Sequence, residues 1–119
     1  MIPGEIQKAI GSHGLWKQRL AQALTTGKST FDPYYVRRED ECDFGRWLKS
    51  LPEADRTTEH WRQVQSCHAQ FHLEAAKVLE TALSGASTDL GASLGIGSAY
   101  GRASAKLTSA MMSWESSLP

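Results

Sequence analysis

Apolar residues recur at three- and four-residue spacing along most of this chain, which is the periodicity of amphipathic helices. The pattern predicts a first helix over about 3–26, where Pro3 suits the first helical position and Gly27 ends the helix. A short second helix is predicted over about 40–51, and Pro52 closes it. The apolar faces are Ile6, Ile10, His13, Leu20 and Leu24 in the first helix and Phe44, Trp47, Leu48 and Leu51 in the second.

The second half of the chain predicts two longer helices. Thr57 or Thr58 caps a third helix, which continues to about residue 83, before Gly85. A fourth helix is predicted over about 87–115. Its first half contains four glycines, at Gly91, Gly95, Gly97 and Gly101. Each costs a helix about 1 kcal/mol relative to alanine, but small residues four apart let a neighbouring backbone approach closely. We therefore interpret the segment as a tightly packed helix and not as a linker.

No segment shows the alternation of a β-strand, and residues 28–39 form the longest stretch without a helical pattern. The chain is predicted to be all-α, an antiparallel four-helix bundle with one short helix that carries Cys42 and with a zinc site between helices. At 119 residues it is long enough to bury one core without disulfides, so residues 1–119 are predicted to be a single domain. The starting methionine and the final Ser-Ser-Leu-Pro lead us to expect a whole small protein.

Charge and composition exclude several classes of protein. The 13 basic and 13 acidic residues cancel, and without a basic face we expect no nucleic-acid partner. The apolar stretches are too short to span a membrane, and the N-terminus does not resemble a signal peptide, so we expect no membrane insertion and a cytoplasmic protein. Two cysteines 25 positions apart are no disulfide framework. In a reducing compartment such a cysteine is more often a ligand or a reactive thiol.

Three short motifs carry the candidate chemistry: His-x-x-Trp at 13–16, Cys-x-Phe-Gly-x-Trp at 42–47 and His-x-x-x-His at 68–72. Together they supply three imidazoles and one thiol, a complete tetrahedral set for Zn²⁺. The histidines of the last motif lie one helical turn apart on one face, so both can converge on one ion. Taken alone, each histidine could equally well be a core residue that is hydrogen-bonded to a backbone carbonyl and not a metal ligand. Three inward-facing imidazoles are costly unless they share a partner.

The predicted zinc ligands are His13, Cys42, His68 and His72. Four protein ligands fill a tetrahedral site, whereas catalytic zinc keeps one position for water and usually has a carboxylate base nearby. The chain has no His-Glu-x-x-His motif, so we do not expect an enzyme. Trp16 is predicted to wall the site from water, and Phe44 and Trp47 to anchor the short helix. Gly45 would leave room over the sulfur for imidazole rings or for a small oxidant.

Of the two cysteines, Cys42 is the predicted redox-sensitive thiol, because a helix N-terminus and a bound metal both favour the thiolate. Asp40 or Glu41 could cap that helix. Cys67 lies roughly 100° round its helix from the neighbouring histidine. We interpret it as a buried small hydrophobe, with the resolution of an oxidised Cys42 as a disulfide as the alternative. His60 is predicted to be a surface histidine.

The order of the three motifs, with 25 and then 20 residues between them, closely resembles the chemoreceptor zinc-binding (CZB) domain. By motif the resemblance covers about residues 10–75, and a further helical stretch follows, as the family would require. The resemblance implies a bacterial, all-helical domain that is attached to chemoreceptors and diguanylate cyclases or stands alone. It also implies a role in sensing zinc availability, or oxidants such as hypochlorous acid through the zinc-bound cysteine.

We therefore expect a zinc-binding sensory or regulatory module that signals to a partner, either a chemoreceptor or diguanylate cyclase protein or a second copy in a homodimer. Leu15 and Leu73 point away from the main apolar faces and could belong to such an interface. The alternative is a structural or zinc-buffering protein, in which the metal only holds the bundle together. A sensory site should lose metal when Cys42 is oxidised, whereas a structural site should lose its fold when stripped.

Overall fold

Helices account for the regular structure of this chain in a computed structural model, which describes residues 2–85 and 89–118. The described residues contain no β-strand, so the predicted all-α class is confirmed. The antiparallel four-helix arrangement stays a prediction. The helices are α1 (Ile2–Thr26), α2 (Pro33–Val36), α3 (Asp43–Ser50), α4 (Glu53–Arg56), α5 (Glu59–Ser84), α6 (Leu90–Leu94) and α7 (Ala99–Ser117), with a 3₁₀ turn (Glu39–Glu41) before α3.

Local sequence signals set the ends of the two longest helices, α1 and α5. Gly27 and Gly85, which follow α1 and α5, have φ angles of 72° and 71°. This left-handed conformation suits glycine because it has no Cβ. At the start of α5, the Thr58 hydroxyl accepts a hydrogen bond from the backbone N–H of Trp61 at 3.2 Å. The predicted ends of these two helices are therefore confirmed within the usual one or two residues.

The predicted short helix over 40–51 begins later than expected. Asp40 and Glu41 belong to the 3₁₀ turn, and Cys42 is itself the N-cap residue of α3, with extended backbone angles (φ −86°, ψ 142°). The prediction that Asp40 or Glu41 caps this helix is wrong, because the chain first makes a tight turn through these residues. Cys42 consequently lies at the N-terminus of α3 and not within it.

The predicted continuous helix over 87–115 is also wrong. It is divided into α6 and α7, with a turn through residues 95–98. The Ser98 hydroxyl caps α7 by accepting a hydrogen bond from the backbone N–H of Gly101 at 2.9 Å. Such a cap competes with helix continuation, which explains why the chain starts a new helix here. The first two residues of the predicted helix, 87 and 88, lie outside the described residues.

Two glycines of this segment permit close approach of the chain to itself. A Cβ built on Gly95 would overlap the carbonyl oxygen of Gly91, and one built on Gly101 would overlap that of Gly95. The sequence pattern predicts that these small residues let a neighbouring backbone approach closely. At these two positions the room is taken by the turn between α6 and α7.

The hydrophobic core lies where α5 packs against α1 and α7. Leu15 and Leu73 are 47% and 43% exposed, which confirms that they point away from this core. None of the helices in the described part of the chain is long and apolar enough to cross a membrane. The largest fully buried side chains are Phe71, Ile6, Leu20, Leu24, Leu48, Leu79, Leu107, Met111, His68 and Val64. One of these ten is a histidine.

Candidate metal centre

Three separate parts of the fold bring the predicted ligand side chains together. His13 comes from α1, Cys42 precedes α3, and His68 and His72 come from α5. One ligand atom from each residue lies within 4.8 Å of all the others. His68 Nε2 is 3.1 Å from His13 Nε2 and 3.1 Å from His72 Nε2, and Cys42 Sγ is 3.7 Å from His13 Nε2.

The shortest of these separations match those of a tetrahedral zinc site. Zinc–nitrogen distances of about 2.0–2.1 Å and zinc–sulfur distances of about 2.3 Å place tetrahedral nitrogen ligands about 3.3 Å apart and nitrogen and sulfur about 3.6 Å apart. The shortest observed separations, 3.1 Å and 3.7 Å, are close to these values. The donor set of three imidazoles and one thiol is also one that Zn²⁺ prefers.

Two backbone carbonyls fix the orientation of two imidazoles. His13 Nδ1 donates to the Ala9 carbonyl at 2.8 Å, and His72 Nδ1 donates to the Val36 carbonyl at 2.8 Å. Because a neutral imidazole carries only one N–H, the Nε2 atom of each ring then presents a lone pair to the cluster. This is the arrangement by which the partners of a ligand histidine hold its metal-binding nitrogen in place.

Burial keeps the imidazoles neutral. Loss of hydration lowers the pKa of His13 to about 4, although its bond to the Ala9 carbonyl opposes the shift. Burial likewise lowers the pKa of His68 to about 2, helped by repulsion from the other two histidines, and lowers the pKa of His72. Neutral imidazoles with converging nitrogen atoms are ready to bind a cation without first releasing a proton.

His68 is oriented by packing. Its Nδ1 atom is buried and has no hydrogen-bond partner among the described residues. Its ring makes edge-on contacts with Phe44 at 5.2 Å and with the two other imidazoles at 4.9 Å and 4.6 Å between centroids. Phe44 also contacts His13 at 5.8 Å, and Trp47 stacks on Phe44 at 5.5 Å. The two aromatic residues predicted to anchor the short helix thus lie beside the cluster.

The space at Gly45 is filled by protein atoms. A Cβ on this buried glycine would overlap the Glu39 carbonyl oxygen and would lie 3.3 Å from Cε1 of His68. Part of the prediction is therefore right, since the glycine makes room for an imidazole. The predicted open path for an oxidant at this point is wrong, because the 3₁₀ turn occupies it.

Solvent reaches the cluster from another side. A cavity of about 430 Å³, here called the Cys42 cleft, lies between Trp16, Phe31 and Tyr35 and has His13, Cys42 and His72 at its inner end. Trp16 is half-buried, and its ring lies 5.0 Å from that of Phe31. Trp16 therefore lines an entrance to the site, whereas the sequence predicts that it walls the site from water.

Cys67 and His60 stand apart from the cluster of potential ligands. Cys67 lines a different cavity, the Cys67 groove between α5 and α7, whose lining includes Arg62, Ser66, Ala105 and Ser109. It is half-buried and packs against the edge of the core, so the prediction of full burial is wrong. His60, which is predicted to be a surface histidine, is half-buried near the start of α5.

Sequence reasoning missed the two carbonyl partners and the stacking residue Phe31. Ala9 could have been found, because it precedes His13 by four residues in a helix, where its carbonyl lies within reach. Val36, at the end of α2, and Phe31, in the loop before α2, belong to residues 28–39, where the sequence has no periodic signal to show which groups will face the site.

Buried imidazoles and a thiol gathered from three helical segments define a metal-binding helical domain. A scan against protein families matches residues 13–79 to the family described as chemoreceptor zinc-binding domain (CZB). This match covers more than half of the chain and includes all four clustered residues, so the chain belongs to this family of zinc-binding domains. Comparison with curated proteins and with solved structures found no match.

Proposed function

We propose that this chain is a sensory or regulatory domain in which His13, Cys42, His68 and His72 bind Zn²⁺. It responds to zinc availability or to oxidants such as hypochlorous acid, and it signals to a partner protein. One observation supports a sensory role above the others. The three histidines are buried, whereas the cysteine is only half-buried and lines a cleft. The oxidisable ligand is thus also the accessible one.

Oxidation would begin at the Cys42 sulfur. A sulfur lone pair attacks the chlorine of hypochlorous acid, so that an S–Cl bond forms while the Cl–O bond breaks and hydroxide leaves. Water then replaces chloride and gives the sulfenic acid. Both steps need only a small oxidant and water, which a cleft of about 430 Å³ admits. A sulfenate is a poorer ligand for zinc than a thiolate, so the affinity of the site for the metal falls.

A change at Cys42 has a direct route into the fold. The residue joins the 3₁₀ turn to α3, and its N–H donates to the Glu39 carbonyl at 3.3 Å. That same carbonyl lies against Gly45, one turn into α3. The helix is held to the core by Phe44 and Leu48, which are both buried. Displacement of the sulfur would therefore move the 3₁₀ turn and the first turn of α3 together, while Leu48 stays anchored.

Zinc availability would act through the same residues. When bound, zinc supplies the positive charge that stabilises the thiolate and the converging imidazole nitrogens. Without it, the buried Nε2 atoms of His13 and His72 face His68 Nε2 across 3.1 Å. His72 is also bonded to the Val36 carbonyl. Loss of metal would consequently alter the position of α2 as well as α3.

The competing proposal is a structural or zinc-buffering role. It is favoured by the origin of the ligands, since residues 13, 42 and 68 lie on three different segments. A bound ion would cross-link these segments in any case. Four protein ligands leave a tetrahedral ion no position for substrate water, so both proposals describe a binding domain and not an enzyme. We propose a cytoplasmic protein whose partner is a chemoreceptor, a diguanylate cyclase or a second copy of the chain.

The decisive experiment measures zinc and helicity together. Purified protein is treated either with an excess of chelator or with one equivalent of hypochlorous acid. Released zinc is followed with a chromophore and helicity by far-ultraviolet circular dichroism. A sensory site predicts zinc release in both cases with most helicity kept, because the apolar core does not depend on the ion. Unfolding on chelation would support the structural role, and zinc retained after oxidation would contradict the sensory one.

A further inference from the structure

The Cys42 cleft has features that the metal centre itself does not need. Its volume of about 430 Å³ lies within the usual range for small-molecule sites. It extends beyond the ligand residues to a wall of aromatic side chains. Phe31 and Tyr35 are 39% and 58% exposed, although both are large apolar rings. Phe31 lies in the loop between α1 and α2, Tyr35 lies in α2, and neither belongs to the core cluster.

A cation lies over the aromatic wall. The guanidinium carbon of Arg19 is 5.0 Å from the ring centroid of Trp16 and 5.2 Å from that of Phe31. Cation–π contacts at this distance hold the arginine against the wall. They leave the outer N–H groups of its planar guanidinium free to face a ligand.

Unlike the other charged residues of the cleft, Arg19 forms no ion pair within the described residues. Arg38 forms an ion pair with Asp40 at 3.5 Å, and Asp43 forms one with Arg46 at 2.9 Å. Arg19 has no carboxylate within 4.0 Å in the described part of the chain. The cleft therefore presents one positive charge that no carboxylate balances, beside an apolar surface.

We propose that the Cys42 cleft binds a small aromatic carboxylate. Its ring would pack against the exposed rings of Phe31 and Tyr35 beside the guanidinium, and its carboxylate would accept hydrogen bonds from the Arg19 guanidinium. Planar carboxylates match the fork of an arginine, and aromatic rings match the wall, so one small molecule satisfies both. Such a ligand would lie over the Cys42 sulfur and would shield it from reagents in solution. Binding does not depend on the proposed sensory function.

Benzoate is a suitable probe, with benzamide as its neutral counterpart. Titration of the full chain is followed by nuclear magnetic resonance at the indole N–H of Trp16 and the side-chain N–H of Arg19. Benzoate should give saturable shifts at both groups, and benzamide should bind about tenfold more weakly because it lacks the charge. Shifts that do not saturate, or that are equal for the two compounds, would overturn the proposal. The proposal would also be overturned if, in the absence of benzoate, a second copy of the chain occupied the cleft.

Two substitutions distinguish benzoate binding in the Cys42 cleft from binding elsewhere on the surface. Arg19→Gln keeps a polar side chain of similar length but removes the charge, and should weaken benzoate binding about tenfold. Arg62→Gln removes a matching charge from the Cys67 groove and should leave benzoate affinity unchanged. Both arginines are exposed, so neither change should affect folding. Equal benzoate affinity of wild type and Arg19→Gln would contradict the assigned role of Arg19.

A chemical measurement tests the position of the ligand independently. Saturating benzoate should slow the alkylation of Cys42 by iodoacetamide several-fold, while Cys67 in its separate groove is modified at the same rate as before. Mass spectrometry reports both cysteines in one sample. Protection should be lost in Arg19→Gln. If Cys42 is modified equally fast with and without benzoate, the ligand does not lie over the sulfur. Zinc content is measured alongside, so this outcome is distinct from failure of the metal site.

Discussion

The two cysteines of this chain have similar exposure but very different surroundings. Cys42 lies at the inner end of a cleft beside three buried imidazoles, whereas Cys67 lines a groove of small and charged residues between α5 and α7. Cys67 is adjacent in sequence to a clustered histidine, while Cys42 is 26 positions away from it. One step along a helix turns a side chain by roughly 100°. Proximity in sequence therefore does not bring Cys67 into the cluster, and the fold brings Cys42 there from a distance.

These surroundings explain why one thiol is a candidate ligand and the other is not. At Cys42, neighbouring nitrogen atoms are oriented by carbonyls and kept neutral by burial. The residues that line the Cys67 groove include no histidine, and their one carboxylate, that of Glu59, forms an ion pair with Arg62 at 3.4 Å. Chemistry that depends on a metal or on a thiolate should therefore be confined to the first region.

The largest expected effect is on zinc content. Wild-type protein should carry one Zn²⁺ per chain, and His68→Ala, His72→Ala and Cys42→Ala should each carry almost none after dialysis, because a tetrahedral site with three ligands binds far more weakly. The matched control Cys67→Ala should keep its zinc. Elemental analysis of the purified variants provides the measurement. Undiminished zinc in both histidine variants would remove the assignment.

A backbone contact next to Cys42 should give the next largest effect. Gly45→Ala places a methyl group on the Glu39 carbonyl, and we expect it to lower the free energy of unfolding by about 3 kcal/mol and to weaken zinc binding. Gly11→Ala is the control, since it lies in α1 with nothing within 4 Å. That change should stabilise the protein by about 0.5–1 kcal/mol. Chemical denaturation of both variants measures these changes. If Gly45→Ala leaves the free energy of unfolding unchanged, the predicted close contact is wrong.

Acid should destabilise the metal-free protein through the imidazoles of the cluster. In the unfolded chain His13 takes up a proton below a pKa of about 6.5, whereas in the folded protein it does so only below about 4. Between these values the unfolded state binds more protons, so stability is unchanged above pH 6.5 and falls as the pH drops through this window.

By pH 5 the cost from His13 alone should be about 2 kcal/mol, at 1.36 kcal/mol for each pH unit. Burial lowers the pKa of His68 in the same direction, so its effect adds to this loss. Urea denaturation at pH 7.5 and at pH 5 measures the change. His68→Gln should flatten the pH dependence, and a metal-free protein equally stable at both pH values would contradict the neutral cluster.

The smallest effect is expected on the α7 side. Ser98→Ala removes the hydroxyl that accepts from the N–H of Gly101, and a lost cap costs about 1 kcal/mol. Because Ser98 lies outside the cluster, zinc content should not change. Thermal unfolding and elemental analysis of the same sample test both statements. A Ser98→Ala protein that loses zinc would show that the two sides of the molecule are coupled.

The sequence predicted what depends on local periodicity. The ends of α1 and α5 follow from Gly27, Thr58 and Gly85, and the pairing of two histidines follows from their four-residue spacing. The four potential ligands follow from three short motifs, which together contain three imidazoles and one thiol. The structure places all four together, while their occupancy by zinc stays a prediction.

What the sequence did not predict depends on contacts that leave no periodic pattern. The turn through residues 95–98 depends on close backbone contacts within residues 91–101. The N-cap position of Cys42 depends on a 3₁₀ turn in a short stretch of charged residues. The Val36 carbonyl and the Phe31 ring belong to a region without a helical signal, so their approach to the site is visible only in three dimensions.

The proposal that Cys42 is the responsive ligand is tested most directly by measuring the oxidation of both cysteines while zinc release is monitored. The zinc-loaded protein is titrated with hypochlorous acid in the presence of a zinc chromophore, and each sample is analysed by mass spectrometry. We predict that Cys42 is oxidised first, that zinc is released in proportion to that modification, and that Cys67→Ala behaves like wild type. Oxidation confined to Cys67 or to methionine, with zinc retained, would contradict the proposal that Cys42 is the responsive ligand.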